Sequence, residues 1–179
     1  MKTYIAFLRG INVAGHNSIT MDELVKAMTE GWFHNVKSYI QSGNLIFQSD
    51  IKEPSDVNWE MKKIITRHFS LQIDIVIRTI SDLEKTINKC PFQSTEEIDV
   101  YASLLSGRPD AVSISILKEK FPEHDDYILG DWVVYIRVPA KTYWRSVYSN
   151  NALEKVFKVR ATTRKIEVLQ KVLELGKGK

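Results

Sequence analysis

Val36-Lys37-Ser38-Tyr39-Ile40-Gln41-Ser42-Gly43-Asn44-Leu45-Ile46-Phe47 reads as two short strands, Val36 to Ile40 and Asn44 to Phe47, joined across Gln41-Ser42-Gly43. A Gly-containing connection of that length is a hairpin signal, so the two strands are expected to be antiparallel neighbours. Upstream, Thr20 with Glu23 three residues on forms a capping box, Ile19 and Leu24 can staple the chain entry, and Gly31 marks the end of a helix. Before that helix, Thr3-Tyr4-Ile5-Ala6-Phe7-Leu8 is short, apolar and bounded by Arg9-Gly10. It has little polar alternation, which predicts a strand covered on both faces. Downstream, Pro54-Ser55-Asp56 opens a second helix through Phe69, with Trp59, Ile64, Ile65 and Phe69 as its apolar stripe, and Ile73 to Ile80 is the next strand. The order β-α-β-β-α-β is the split βαβ arrangement.

After a short helix capped by Ser81 and Glu84, a weaker version of the series begins at Val100-Tyr101-Ala102-Ser103-Leu104-Leu105. A helix is expected from about Asp110 to Phe121, although Val112 to Ile116 also reads as strand. Tyr127 to Leu129 pairs with Trp132 to Val138 across Gly130-Asp131. Asn151 with Glu154 caps a helix through Phe157, and a last helix runs from about Thr163 to Leu175, with Ile166, Leu169, Val172 and Leu173 at helical spacing. The expected fold is α+β: two packed ferredoxin-like (split βαβ) subdomains, residues 1–80 and 81–179, the second less regular and ending in basic helices. No low-complexity linker separates them.

A chain of 179 residues, 44% hydrophobic and 26% charged, is ordinary for a globular protein. No apolar stretch approaches the roughly 20 residues that span a bilayer, and Met1-Lys2-Thr3-Tyr4 leads directly into a strand, so no membrane partner and a cytoplasmic location are expected. The single cysteine, Cys90, lies between Lys89 and Pro91. It has no intramolecular disulfide partner and no neighbouring histidine to activate it. The net charge of +3 conceals an asymmetry: residues 141–179 hold 10 Lys/Arg against 3 Asp/Glu, leaving 15 against 19 in residues 1–140. Such a basic stretch suits phosphate, nucleic acid or another acidic partner, and equally a solvated helix face.

Three segments can carry chemistry. In Arg9-Gly10-Ile11-Asn12-Val13-Ala14-Gly15 the glycines let backbone N–H groups approach an anion, and Arg9 adds a planar fork of donors. The plainer alternative is a tight turn with Arg9 paired to a carboxylate and Asn12 bonding local backbone. Gln41-Ser42-Gly43-Asn44 offers amides and a hydroxyl that can orient a polar ligand, or simply good turn chemistry. Thr162-Thr163-Arg164 precedes the last helix, where open N–H groups attract anions. Catalytic signals are thin. His16, His34, His68 and His124 lack metal-ligand spacing, so no metal is expected. Ser42 has no base, and Glu123, Asp125, Asp126 and Asp131 lack calcium-loop spacing. The run Tyr143-Trp144-Arg145 with Tyr148 can stack on bases or pack as a lid. No catalytic residue and no cofactor is read from the chain.

Leu8 to Gly15 with Met21 and Leu24, Tyr39 to Phe47, and Ser149-Asn150-Asn151 to Leu153-Glu154-Lys155 with Ala161-Thr162-Thr163-Arg164 together resemble the uncharacterised bacterial family called domain of unknown function 1697. That resemblance implies ferredoxin-like halves and no particular reaction. This chain has Ala14-Gly15 where the family commonly has Gly-Gly, and Lys165 where it has Asn. The functional expectation is a small anionic or nucleotide-like ligand held in a cleft between the halves by Arg9, Asn12, Gln41, Ser42, Asn44, Thr162, Thr163 and Arg164. The alternative is a nucleic-acid-binding module or a protein-interaction domain without catalysis.

Overall fold

The computed structural model describes residues 1–13, 17–121 and 126–178. Ala14, Gly15, His16, Glu123, His124 and Asp125 lie outside the described residues. Two compact units divide the chain, residues 1–84 with 170–179 and residues 85–169.

In the first unit, β1 (Lys2–Leu8), α1 (Met21–Glu30), β2 (His34–Tyr39), β3 (Asn44–Ser49), α2 (Pro54–Phe69) and β4 (Ile75–Thr79) follow one another, and α3 (Ile80–Asn88) begins. The sheet is antiparallel with strand order β2-β3-β1-β4, the split βαβ order expected. Thr20 Oγ1 accepts from the Glu23 N–H at 3.2 Å, and Ile19 and Leu24 are both buried, so cap and staple form as expected. Tyr4, Ala6 and Leu8 face a core completed by Leu24 and Met28 of α1 and by Val57, Met61 and Ile65 of α2. Ile5 and Phe7, at the alternate positions of β1, are also fully buried. The near-continuous apolar run of β1 therefore has the cause expected for a strand covered on both faces. Part of that second cover is the end of the last helix, since a Cβ placed on Gly176 would lie 3.9 Å from Ile5 Cδ1 and 3.7 Å from Ile46 Cγ2.

Trp59 is a correction. The buried stripe of α2 is Val57, Met61, Ile64 and Ile65, and Trp59 is 64% exposed. The spacing is helical either way, but the face that α2 packs into the core carries Val57 and Met61, and Trp59 lies off it. Another correction concerns α3, whose cap is Thr79 and Asp82 in place of Ser81 and Glu84. Thr79 Oγ1 accepts from the Asp82 N–H at 3.1 Å, and the Thr79 N–H donates to Asp82 Oδ2 at 3.3 Å.

The second unit repeats the order with β5 (Ile98–Leu105), α4 (Ala111–Lys120), β6 (Tyr127–Leu129), β7 (Val133–Pro139), a 3₁₀ turn (Tyr143–Arg145), α5 (Asn150–Phe157) and β8 (Ala161–Lys165). Its sheet is β6-β7-β5-β8, the same arrangement. The ambiguous Val112 to Ile116 is helical. Asp110 Oδ1 caps it by accepting from the Ser113 N–H at 2.7 Å, while Val112 and Ile116 are exposed, where a strand would need one face covered. The cap of α5 is Ser149, accepting from the Ala152 N–H, and not Asn151. The last helix, α6, spans Ile166–Gly176, and Thr163 and Arg164 lie before it in β8. Thr162-Thr163-Arg164 is therefore strand and not a helix start. Leu105, Leu117, Val134, Ile136, Leu153 and Phe157 form this unit's core, with Tyr148 5.2 Å from the ring centroids of both Phe121 and Tyr127.

The two sheets match residue by residue. Tyr4 pairs with Thr79 and Leu8 with Ile75, as Tyr101 pairs with Lys165 and Leu105 with Ala161. Arg78 and Arg164 consequently hold equivalent positions, opposite Ile5 and Ala102.

Candidate functional site

At one end of the first sheet, the chain leaving β1 meets the β2–β3 turn. The Leu8 N–H donates to the Gly43 carbonyl at 2.8 Å, and the Arg9 N–H to the Asp74 carbonyl at 2.9 Å. Asn12 ties the loop together. Its Nδ2 donates to the carbonyls of Ile19 at 2.9 Å and Gln41 at 3.1 Å, and its Oδ1 accepts from the Ile19 N–H at 2.9 Å. Asn12 has φ 55°, a left-handed conformation that asparagine tolerates better than most residues. Asn44 is fully buried and donates through Nδ2 to the Tyr39 carbonyl and to Ser42 Oγ, both at 3.0 Å. These two asparagines therefore build the loop end; their amides are occupied by the fold itself.

What the loop leaves open is backbone. Gly10 is exposed with φ 68°, and nothing lies within 4 Å of where its Cβ would be. Neither the Gly10 nor the Ile11 N–H donates a hydrogen bond among the described residues. The N–H groups of exposed Gly10 and of Ile11, a residue only 2% exposed, thus have no acceptor among the described residues, and the half-buried Arg9 adjoins them. Gln41 is exposed at the same rim. Arg9, Asn12, Gln41, Ser42 and Asn44 are thus brought together within one unit.

Thr162, Thr163 and Arg164 occupy β8 of the other unit. Arg164 Nη1 donates to Thr162 Oγ1 at 2.8 Å and to the Thr163 carbonyl at 2.9 Å, and Thr163 Oγ1 donates to Asn150 Oδ1 at 2.7 Å. The equivalent Arg78 likewise donates to the carbonyl before it, that of Ile77, at 2.9 Å. Burial pushes both guanidinium groups down to about 10, with Asp82 opposing the shift at Arg78. Both stay charged at neutral pH.

Sequence reading missed Asp99. Lys165 Nζ lies 2.6 Å from Asp99 Oδ1, and the Lys141 N–H donates to Oδ2 at 2.8 Å. The bond from Lys165, then that from Lys141, holds the Asp99 carboxyl below the usual carboxylate value, whereas burial first and Asp99 second push Tyr101 up to about 12. Tyr143 stacks on Tyr101 at 4.3 Å, while Trp144 is 75% exposed with Arg145 over its ring at 4.3 Å. The only prior signal was a lone acid between Ile98 and Val100 in an apolar strand. Because the folded pKa is depressed, the pair stabilises above the unfolded value near 3.9 and its contribution fades as pH falls below it. Asp99→Asn should cost about 1 kcal/mol at pH 7, modest because Lys165 is 40% exposed and screened. Urea unfolding at pH 7 and pH 3 should show the gap to wild type closing at the lower pH; a constant gap would remove the ionic explanation.

Among the described residues no group of three or more His, Cys, Asp or Glu is placed to hold a metal. Burial raises the Cys90 thiol pKa, the reverse of what an activated nucleophile needs. No helix among the described residues is long and apolar enough to cross a membrane.

The family described as protein of unknown function DUF1697 matches residues 1–135, which include all of the loop end. The chain belongs to that family. Among solved structures, this DUF1697 chain is similar to the conserved bacterial protein SP0830 from Streptococcus pneumoniae, at 21% identity and a TM-score of 0.69 over 97% of this chain and 98% of that one. That likeness shows the α+β fold. An unknown protein from Galdieria sulphuraria aligns at 11% identity and a TM-score of 0.28, over 92% of this chain and 98% of its own. No curated protein matches the DUF1697 chain.

Proposed function

We propose that this protein binds a small anionic ligand at the loop end of the first unit, on the Gly10 and Ile11 N–H groups with Arg9 as the charged partner. The single observation supporting this is the pair of open N–H groups in a loop that Asn12 holds in place through three hydrogen bonds. Preorganised backbone donors bind an anion without paying to order the loop first. A sheet-based nucleic-acid site has less support, because Phe7 and Ile5 are fully buried and such platforms need exposed aromatics.

A thermal-shift panel of inorganic phosphate, simple carboxylates and mononucleotides should contain a compound that raises Tm. At one hundred times its Kd, stabilisation is about 2.7 kcal/mol, or roughly 5 to 10 °C for a chain of this size. Arg9→Gln should abolish the shift while the variant keeps the far-UV circular dichroism of the folded wild type. A shift that persists in Arg9→Gln, or a panel with no active member, rejects the proposal.

A further inference from the structure

Helix α1 ends with an unusual exchange of residues. The Phe33 N–H donates to the Met28 carbonyl at 3.2 Å, closing a Schellman-type turn, whose left-handed position glycine normally fills. Here that position is Trp32, at φ 78°, while Gly31 precedes it at φ −93°. Gly31 is needed where it stands: a Cβ there would lie 2.3 Å from Ile64 Cδ1. Nothing comparable explains Trp32, which is 85% exposed. A bulky residue in a strained backbone conformation with almost none of its surface buried is not accounted for by folding, and such outliers point toward function.

Trp32 borders a cavity of about 210 Å³ between the ends of α1 and α2. Its walls include Glu30, Glu60, Lys63, Ile64 and Arg67. Lys63 and Glu60 neutralise each other at 2.8 Å. Glu30 and Arg67 are both exposed, and neither side chain makes a hydrogen bond or ion pair among the described residues. The cavity thus brings together Trp32, the His68 imidazole, one available carboxylate and one available guanidinium. Its volume is below the roughly 300 Å³ at which drug-sized sites begin, which suits a ligand with a single ring.

We infer that this cavity binds a small zwitterion with a planar side chain, an aromatic α-amino acid: its carboxylate on Arg67, its ammonium on Glu30 and its ring on Trp32. The arginine fork matches a carboxylate, and an indole gives the strongest face for stacking. The site is separate from the Gly10 loop.

The test is an NMR titration of the intact protein, following the Trp32 indole N–H, assigned with Trp32→Phe. L-Phenylalanine should shift that resonance saturably in the millimolar range. L-Alanine, 3-phenylpropionate and phenethylamine each lack one of the three groups and should bind at least tenfold more weakly. Arg67→Gln and Glu30→Gln should each weaken phenylalanine about tenfold. In Trp32→Gly, followed through the backbone amides of Gly31 and Ile64, phenylalanine should no longer cause a saturable shift, and Tm should rise by about 2 °C because glycine relieves the left-handed strain. The inference is overturned by no response at 20 mM, by 3-phenylpropionate binding as tightly as phenylalanine, or by a lower Tm in Trp32→Gly, which would make Trp32 structural.

Discussion

Gly43→Ala should destabilise the protein by about 3 kcal/mol and lower its Tm by roughly 6 to 12 °C. Two costs combine. Gly43 has φ 74°, where any other L-residue is strained by about 1 kcal/mol or more. A Cβ built there would also lie 2.6 and 2.8 Å from Ile11 Cδ1 and Cγ1 and 2.9 Å from Leu8 Cβ. Ile11 and Leu8 are buried, so neither can swing into solvent. Moreover, the Gly43 carbonyl accepts the Leu8 N–H, which fixes the turn against β1 and prevents it from rising. Gly10→Ala is the matched control. It has the same sign of φ, 68°, with nothing within 4 Å of its Cβ position, so it should suffer the strain alone, about 1 kcal/mol. Ile11→Val in the Gly43→Ala background should restore part of the loss. Unfolding free energies of the two alanine variants that agree within about 0.5 kcal/mol would show that the close approach at Gly43 carries no energy.

This contrast also explains what was legible in the sequence. The hairpin was readable because glycine and asparagine at its turn are local signals, and the first half was readable because a capping box, a Pro-initiated helix and an apolar strand each announce themselves without help from distant residues. The last strand of the second unit was not. Ala161-Thr162-Thr163-Arg164-Lys165 is polar, pairs only with β5 at the sheet's edge, and runs into α6 with no intervening loop. Helical periodicity from Ile166 onward was therefore extended back over it. Trp59 was misplaced for a related reason: an apolar residue at helical spacing shows period but not phase, and the phase depends on what α2 packs against.

The candidate site divides the same way. The role of Asn12 as a local tie was one of two readings the sequence offered, and its carboxamide geometry decides for that role. Which loop N–H groups lack an acceptor could not be read, because that depends on the backbone dihedrals around Arg9 to Asn12 and on partners distant in sequence such as Gly43 and Asp74. The Lys165–Asp99 pair joins residues 66 apart across a strand register that was not predicted. Charge counting did identify the basic C-terminal segment, but it gave no sign that one lysine was already matched within its own unit.

Phe47→Ala should be the most damaging simple truncation in the first unit, costing 3 to 5 kcal/mol, about 6 to 20 °C in Tm. Phe47 lies on β3, one of the two central strands of the β2-β3-β1-β4 sheet, and its backbone is registered against Tyr4. Its ring meets Phe33 edge-on at 4.8 Å and stacks on Tyr4 at 6.0 Å, so truncation removes two aromatic contacts as well as the buried area. The void cannot be refilled cheaply. Tyr4 is held by its hydroxyl, which donates to the carbonyls of Ile51 at 2.8 Å and Lys52 at 2.7 Å, and Phe33 is fixed by the turn that ends α1. Phe47→Leu should recover more than half of the loss by filling most of the volume without the ring contacts. Tyr4→Phe, which removes only the anchor, should cost about 1 kcal/mol alone. Combined with Phe47→Ala it should cost less than the sum, because the phenylalanine ring at position 4, free of the anchor, can lean into the cavity. Strict additivity in that double-mutant cycle would mean the hydroxyl does not hold the ring in place.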